Sequence, residues 1–530
     1  MAKILGWILM ITAVLAGVGD WAQLRLPTVT GFFDWNRKFE SLMMEMADYP
    51  GGSLPVVAWV INIAVWVAGA WLVATFSGNT KFSPITLRRF KRFREIGRGY
   101  WSLVILLILA LLSALDFVVV GPDALMVKQD GKITWPAFTR ELEKGSDYGL
   151  DSDELAEAPV DFLELKKQFK REDNGDWVIM PLLPYAPTNG GIVAIASPLN
   201  EEDGVLSDGR TRYNGYAYRV YDIDKPERRH LGYRYRDGLK DGRAEGWDEG
   251  GSKVYEATYR EGVLESEVWT GEGTKEDFFA KETGALMRVD FNPAPPSMRH
   301  WLGTTTEGND VLAYLYGGLQ VNFQAALIYI PLVYFLGVNI GLLMGYFGGK
   351  FDLVVQRLIE VLSNVPFLFV VMIVATAVPT TLKETYGLVI ICAILVAFGW
   401  MGMTYLMRTA AYKEKSRDYI AAAKSMGAST ARILTKHLFP NSVAIVVTLV
   451  PFSVSGLVLA LASLDYLGFG LPPDYATWGK LLREGLQNPT TAPWLVSSAF
   501  GALFILLILV TFVGEAVREA FDPKKYSYYK

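Results

Sequence analysis

Cysteine, histidine and charge are all scarce in this chain, and each scarcity rules something out. There is one cysteine in 530 residues. Cys392 sits inside an apolar run, so no intrachain disulfide can staple a domain, and the thiol reads as buried and unreactive. The three histidines, His230, His300 and His437, are far apart in sequence. Neither a His-Glu-x-x-His motif nor a cysteine pair accompanies them, which argues against a bound metal. The phosphate cradle Gly-x4-Gly-Lys-Ser/Thr is missing too. Its nearest approach, Gly246 to Lys253, ends Gly251-Ser252-Lys253, with the last two residues reversed. No nucleotide site or other cofactor is therefore expected on this chain. With a net charge of −4, there is no basic field to recruit nucleic acid.

Charged residues make up only 20% of the chain, against 51% hydrophobic ones. That is too apolar for an ordinary soluble protein and too charged for one wholly in lipid. The apolar residues gather in long runs around one large polar block, so the class is a polytopic membrane protein with a soluble insert. Crossing hydrocarbon takes about 20 apolar residues. Candidate spans are Ile4–Val18 (the shortest), Leu54–Phe76, Trp101–Gly121, Leu319–Gly345, Leu358–Val378, Tyr386–Leu406, Ser442–Leu464 and Pro493–Val513. The first, after Lys3, reads as a retained helix in preference to a cleaved signal, since no small-x-small site stands out beyond Ala13 to Ala16.

Lysine and arginine near the spans set the orientation. Lys81, Arg88, Arg89, Lys91, Arg92, Arg94 and Arg98 put 82–99 in the cytoplasm, and residues 122–317 then fall outside. Arg408, Lys413, Lys415, Arg417, Lys424, Arg432 and Lys436 place 408–441 inside again, as Arg518, Lys524 and Lys525 do the tail. The expected organisation is an N-terminal hairpin (1–80), a basic segment with the first core span (81–121), an external insert (122–312) and a helical core (313–530).

Within the insert, Tyr235-Arg236-Asp237-Gly238 is echoed by Trp247-Asp248-Glu249-Gly250 and by Tyr259-Arg260-Glu261-Gly262 at a period of 12. Aromatic-x-acid-Gly at fixed spacing reads as strand–turn–strand, each glycine taking the positive φ, in a pattern similar to MORN-type hairpin repeats. The alternation in Lys253–Tyr259 supports strand. Residues 151–171 read as an amphipathic helix with Leu155, Phe162, Leu163, Leu165 and Phe169 on or near one face.

The stretch Asp418-Tyr419-Ile420-Ala421-Ala422-Ala423-Lys424-Ser425-Met426-Gly427, continuing to His437-Leu438-Phe439-Pro440-Asn441, carries more information. Asp418 is placed to cap a helix, Ala421 to Ala423 are small and helix-forming, and Gly427 can end or bend the helix. Thr430–Leu438 forms a second helix that Pro440 is expected to stop. The product is a helix–bend–helix elbow. Small exposed residues would let a partner's groove approach closely, and the residues alone leave open the plainer reading of a structured connecting loop.

This stretch resembles the EAA loop of binding-protein-dependent ABC importer permeases. Ala422, Ala423, Gly427, His437 and Pro440 occupy matching places, while Ala421 stands where the family often has Glu and Phe439 where it often has Leu. Without that Glu, docking would rest on helix-in-groove contact. Other segments resemble oligopeptide permeases in the same order: Trp301-Leu302-Gly303-Thr304 with Gly308, Asp310, Val311 and Leu312; Gly345-Tyr346-Phe347-Gly348-Gly349-Lys350-Phe351-Asp352 with Arg357 and Pro366; Leu467-Gly468-Phe469-Gly470-Leu471 with Trp478-Gly479; and Gly514-Glu515-Ala516-Val517-Arg518-Glu519-Ala520-Phe521-Asp522-Pro523. The long external segment is similar to that of peptide permeases linked to microcin C uptake.

The resemblance implies an all-α polytopic fold: a six-helix permease core, an added N-terminal hairpin and a β-rich extracytoplasmic insert. It implies an inner-membrane subunit of an ATP-driven peptide importer, with ATP bound by separate ATPase subunits. The other implied partners are a second permease in a heterodimer, a periplasmic solute-binding protein and membrane lipid. Path candidates are polar residues at membrane depth: Gln320, Asn322, Gln324, Asn339, Ser363, Asn364, Ser453 and Ser455. Such a residue is more often a helix–helix hydrogen bond than a substrate contact. Pro331, Pro366 and Pro451 are candidate kinks, and Asp465 is expected to cap its span. Two rival readings are a membrane-anchored sensor using the insert and an enzyme acting on cell-wall fragments. The second needs a nucleophile–base pair, and His230 has no motif around it.

Overall fold

Long apolar runs become helices, because a backbone in hydrocarbon must satisfy every N–H and C=O within its own segment. The computed structural model describes residues 2–22, 24, 54–75, 84–139, 143–149, 160–172, 175–188, 195–202, 205–207, 212–213, 215–221, 229–271, 274–280, 286–290 and 292–521. Among the described residues, five helices are long and apolar enough to cross a bilayer: Gly97–Ala114, Val311–Phe347, Tyr386–Lys415, Thr430–Leu467 and Pro493–Phe521. Helices Ala2–Trp21 and Leu54–Thr75 precede them and pack on each other, with the buried Asn62 Nδ2 donating to Ala13 O at 3.1 Å. The chain divides into two units. One comprises Met1–Pro187, Ala313–Arg483 and Ser497–Lys530, and the other Thr188–Leu312 and Glu484–Val496.

Two expected spans need correction. Trp101–Gly121 is displaced: its helix runs Gly97–Ala114, and the chain turns at Leu115, just before the charged Asp116. Val120 then bridges Leu183, and the Gly121 N–H donates to Leu183 O at 3.0 Å. Leu358–Val378 is not one straight helix. Gly349–Ser363 and Phe367–Ala377 meet at a bend of 82°. Pro366 causes it: proline cannot donate the next helical hydrogen bond, and it disfavours helical geometry in the residue before it. Helices run on through the other two prolines, Pro331 and Pro451.

Small residues set the packing of the helical unit. Gly337, Gly341 and Gly345 recur every fourth residue of Val311–Phe347, along one face. A Cβ at each would come within 2.9 Å of Trp400 O, 2.5 Å of Thr404 O and 2.6 Å of Arg408 O, respectively. Only glycine lets these two backbones approach so closely, as in membrane small-xxx-small contacts. The same unit holds a three-stranded sheet, Lys132–Thr134, Met126–Gln129 and Trp177–Ile179. The helix over it is Phe162–Glu172, with Phe162, Leu165 and Phe169 buried and Leu163 half-buried. Leu155, expected on that helix, lies outside the described residues.

The second unit contains a seven-stranded antiparallel sheet. Its order is Val263–Trp269, Lys253–Arg260, Leu239–Trp247, Arg229–Arg236, Gly215–Val220, Met287–Asp290 and Ile195–Pro198. The repeat maps onto its hairpins. Asp237 and Gly238 have φ of 48° and 80°, and Glu261 and Gly262 of 48° and 87°. Both pairs form two-residue hairpin turns of the kind that matches strand twist. The middle copy is corrected: Gly251, not Gly250, takes the positive φ, in a longer loop closed by the Ser252 N–H donating to Asp248 Oδ1 at 2.8 Å.

Candidate functional site

The elbow is a packed bracket with one free face. Its first leg is Asp418–Ser425. Arg417, not Asp418, is the N-cap; Asp418 stands in the first turn, where its charge meets the positive end of the helix. The leg ends in a hydrogen-bonded stop. Gly427 adopts φ +77°, its N–H donates to Lys424 O at 2.9 Å, and the Ala428 N–H donates to Ala423 O at 3.0 Å. The second leg starts at Ser429, whose Oγ accepts from the Arg432 N–H at 3.3 Å. It passes through one π-helical turn, Leu434–Leu438, straight into Phe439–Leu467. Pro440 was expected to stop this leg, and it does not. The wider turn ahead of it accommodates the missing donor, and Pro440 sits in the first turn of the following α-helix, where proline is tolerated.

Ile420, Ile433 and Leu438 are fully buried against Val338, Leu342, Met403, Met407 and Ala411. Ala423 is buried with them, and His437 is half-buried beside the Tyr419 ring at 6.2 Å. Ala421, Ala422, Gly427 and Pro440 are exposed. Met426, 81% exposed at the bend, joins this free face. Sequence reasoning passed over it because a methionine beside a glycine carries no motif.

Polar ties fix the bracket. Glu414 accepts from Tyr419 OH at 2.7 Å and pairs with Arg417 at 3.0 Å, and Asn441 Nδ2 donates to Tyr419 OH at 3.0 Å. Burial, then the bond to Glu414, holds the Tyr419 phenol above its ordinary pKa. At the root of the elbow, Asp352 receives a forked pair of bonds from Arg408, at 2.5 and 2.7 Å, and one from Tyr412 OH at 2.6 Å. Lys415 Nζ donates to Tyr346 O, and the Lys424 ammonium lies 5.0 Å from the Tyr346 ring centroid. These ties join Gly349–Ser363, Val311–Phe347 and the end of Tyr386–Lys415. Asp352 was visible in its motif, but its partners lie 56 and 60 residues away, beyond any local spacing rule.

The polar candidates of the helical core do not converge on one lining. Gln320 donates to Ser113 O at 3.1 Å, joining two helices, and Gln324 is buried one turn further on. Ser453 meets Tyr334 OH at 2.9 Å. Ser455, Asn339 and Asn322 bond carbonyls of their own helices, at 3.4, 2.6 and 2.7 Å. Ser363 reaches Met401 Sδ at 3.5 Å, and Asn364 caps its helix at the bend. A cavity of about 370 Å³ opens among Leu106, Pro331, Pro451, Val454 and Val510, and Asn322 is the polar residue in its lining. Among the described residues, Asn322 Oδ1 has no hydrogen-bond partner.

Asp465 lies in the last turn of its helix and is buried. The cap of that helix is Gly468, not Asp465 as expected; Asp465 Oδ1 instead accepts from the Leu471 N–H at 2.8 Å and folds the following loop back. In the other unit, Trp301–Leu312 is a tight knot: His300 Nδ1 meets Asp310 Oδ2 at 2.9 Å, and Trp494 Nε1 donates to Thr304 O at 3.1 Å.

Residues 337–525 match the profile of the family described as binding-protein-dependent transport system inner membrane component. The chain is 30% identical over 446 residues to the inner membrane ABC transporter permease protein YejE of Escherichia coli, covering 84% of this chain and 99% of that protein. It is 37% identical over 226 residues to the peptidoglycan transport system permease protein YejE of Agrobacterium fabrum, covering 43% of this chain and 58% of that one. It is 32% identical over 232 residues to the dipeptide transport system permease protein DppC of Bacillus subtilis, covering 43% and 70%.

Proposed function

The chain belongs to the family of binding-protein-dependent transport system inner membrane components, and from that premise we propose that it is the permease subunit through which an ATP-driven importer carries peptides or peptide-like compounds. The reading rests above all on the elbow, a bracket free on one face and continuous through its π-turn with a span. Ala421, Ala422 and Met426 offer a low, exposed surface to a groove on a separate ATPase subunit. Nucleotide binds there, and no cofactor is held on this chain. Ala423, Gly427, His437 and Pro440 shape the bracket. A push on its free face moves Phe439–Leu467, and the core alternates between two openings biased by ATP and by the loaded binding protein.

The core then has six spans, the bent pair Gly349–Ser363 and Phe367–Ala377 counting as one, with Ala2–Trp21 and Leu54–Thr75 as an added hairpin. The basic clusters put the elbow in the cytoplasm and residues 122–312 outside. A second permease completes the path as a heterodimer, and a solute-binding protein delivers cargo. Among the polar candidates Asn322 is best placed to meet cargo, since it lines the cavity with an unused acceptor. The relatives, which include peptidoglycan and dipeptide transport permeases, support a peptide class of cargo.

Reconstitution in proteoliposomes with a second permease, ATPase subunits and a binding protein tests this. ATP-dependent uptake of a labelled tripeptide is expected, and Ala422→Trp is expected to abolish it together with ATPase association. Full uptake by that variant, or labelling that finds residue 426 outside the cell, overturns the proposal.

A further inference from the structure

The seven-stranded sheet ends in an edge that the described residues leave open. Val263–Trp269 pairs with Lys253–Arg260 on one side only, and its first six residues are exposed. The Thr270 N–H donates to Val254 O at 2.9 Å, which fixes the phase of the pairing. Val268 and Ser266 therefore turn their backbone groups toward the neighbouring strand, while Glu267 and Trp269 turn theirs away. Open edges are usually blunted by proline, lysine or shortness. This strand is seven residues long and has neither residue, and its one bulge, at Glu265, leaves the stretch Ser266–Trp269 in unbroken register. Val263 and Val268 stand 68% and 59% exposed. Between them Glu265 and Glu267 carry carboxylates, drawn along the rim by Arg260 at 3.5 Å and Lys275 at 2.5 Å.

A second copy of the chain is a poor occupant. Antiparallel pairing of the edge with itself about Ser266 sets Glu265 opposite Glu267 twice over, and like charges directly opposite destabilise a ladder. An extended peptide with apolar and basic residues suits the same surface. We propose that this edge captures a peptide by strand addition, reading its backbone through Glu267 and Trp269. Because main-chain bonds ignore side-chain identity, such a site accepts many sequences, while the two carboxylates and two valines bias it toward alternating basic and apolar ones. This deepens the importer reading above and rests on it.

The test uses the full chain in lipid nanodiscs and a fluorescein-labelled peptide of alternating valine and lysine. Glu267→Pro removes an N–H that the sheet does not use, and edge strands tolerate proline at such a position. It is expected to weaken binding by at least about tenfold, the loss of main-chain hydrogen bonding. Glu267→Ala, which keeps the N–H, is expected to cost no more than about threefold. Hydrogen exchange on the wild-type chain is expected to show peptide-dependent protection of the Glu267 and Trp269 amides, and protected Ser266 and Val268 amides in Glu267→Pro certify that its sheet is intact. Equal binding by Glu267→Pro and wild type, absent binding, or edge protection that grows with protein concentration without peptide overturns the proposal. Uptake by the assembled importer separates the two readings: uptake without edge protection removes only this one, whereas a reconstituted importer that moves no peptide removes the reading beneath it.

Discussion

Two helix ends in the core stop in the same way and are put to opposite uses. At the elbow, Gly427 is left-handed and the two residues after the cap bond back to Lys424 and Ala423. At the end of Phe439–Leu467, Gly468 is left-handed at φ +84°, and Gly468 and Phe469 bond back to Asp465 and Leu464. The local chemistry is one motif. Only the surroundings differ. A Cβ at Gly427 would meet nothing within 4 Å among the described residues. Around Gly468 the space is filled: a Cβ there would lie 2.6 Å from Arg483 Nη1, one at Gly470 would fall inside the Asp465 carboxylate, and one at Gly479 would strike Ala462 O. The first stop leaves a surface free; the second closes a loop on a buried acid. A glycine can thus be required by the backbone alone or by its neighbours, and only the fold tells which.

Substitutions at the two ends sharpen that contrast, and their effects on stability should run opposite to their effects on transport. Gly470→Leu is expected to be the most damaging to the fold, at about 3 kcal/mol, because the Asp465 carboxylate and its loop must move. Thermal unfolding in detergent reads this. Asp465→Ala should follow at about 2 kcal/mol, since the Leu471 N–H loses its acceptor. Gly427→Ala should cost only about 1 kcal/mol, because the strain is confined to one left-handed residue in open space. It is nevertheless expected to cut peptide uptake more than Asp465→Ala does, and comparable uptake by the two variants would erase the distinction drawn here. Smallest in stability is Ala422→Trp, expected within about 0.5 kcal/mol on an exposed helix face. Co-purification with ATPase subunits is where that variant should fail.

Much of this was legible in the sequence. Hydropathy placed the spans, because the bilayer fixes helix length, and hairpin turns announced themselves through acid–glycine pairs. What escaped was whatever depended on distant neighbours. The glycine stripe at Gly337, Gly341 and Gly345 was hidden in an apolar run, and its meaning appears only with the backbone of 400–408 against it. Pro366 and Pro440 look alike on paper, yet one bends the chain by 82° and the other is absorbed by a π-turn. The difference lies in what precedes each: the Asn364–Val365 break leaves the helix, whereas Leu434–Leu438 widens to stay in it. The Asp352 fork could not be read because its partners sit on another helix.

The wide turn at Leu434–Leu438 also sets an angle. Each residue advances an α-helix by about 100° of rotation, so a turn that takes up one extra residue holds every later side chain about that far back from where the same sequence in unbroken α-helix would put it. Ser453, which meets Tyr334 across the bundle, lies beyond this offset. Straightening the turn into plain α-helix with every residue kept would leave a smooth rod of nearly the same length whose membrane half presents the wrong side to its neighbours, like a key cut correctly and turned a quarter round before it enters the lock.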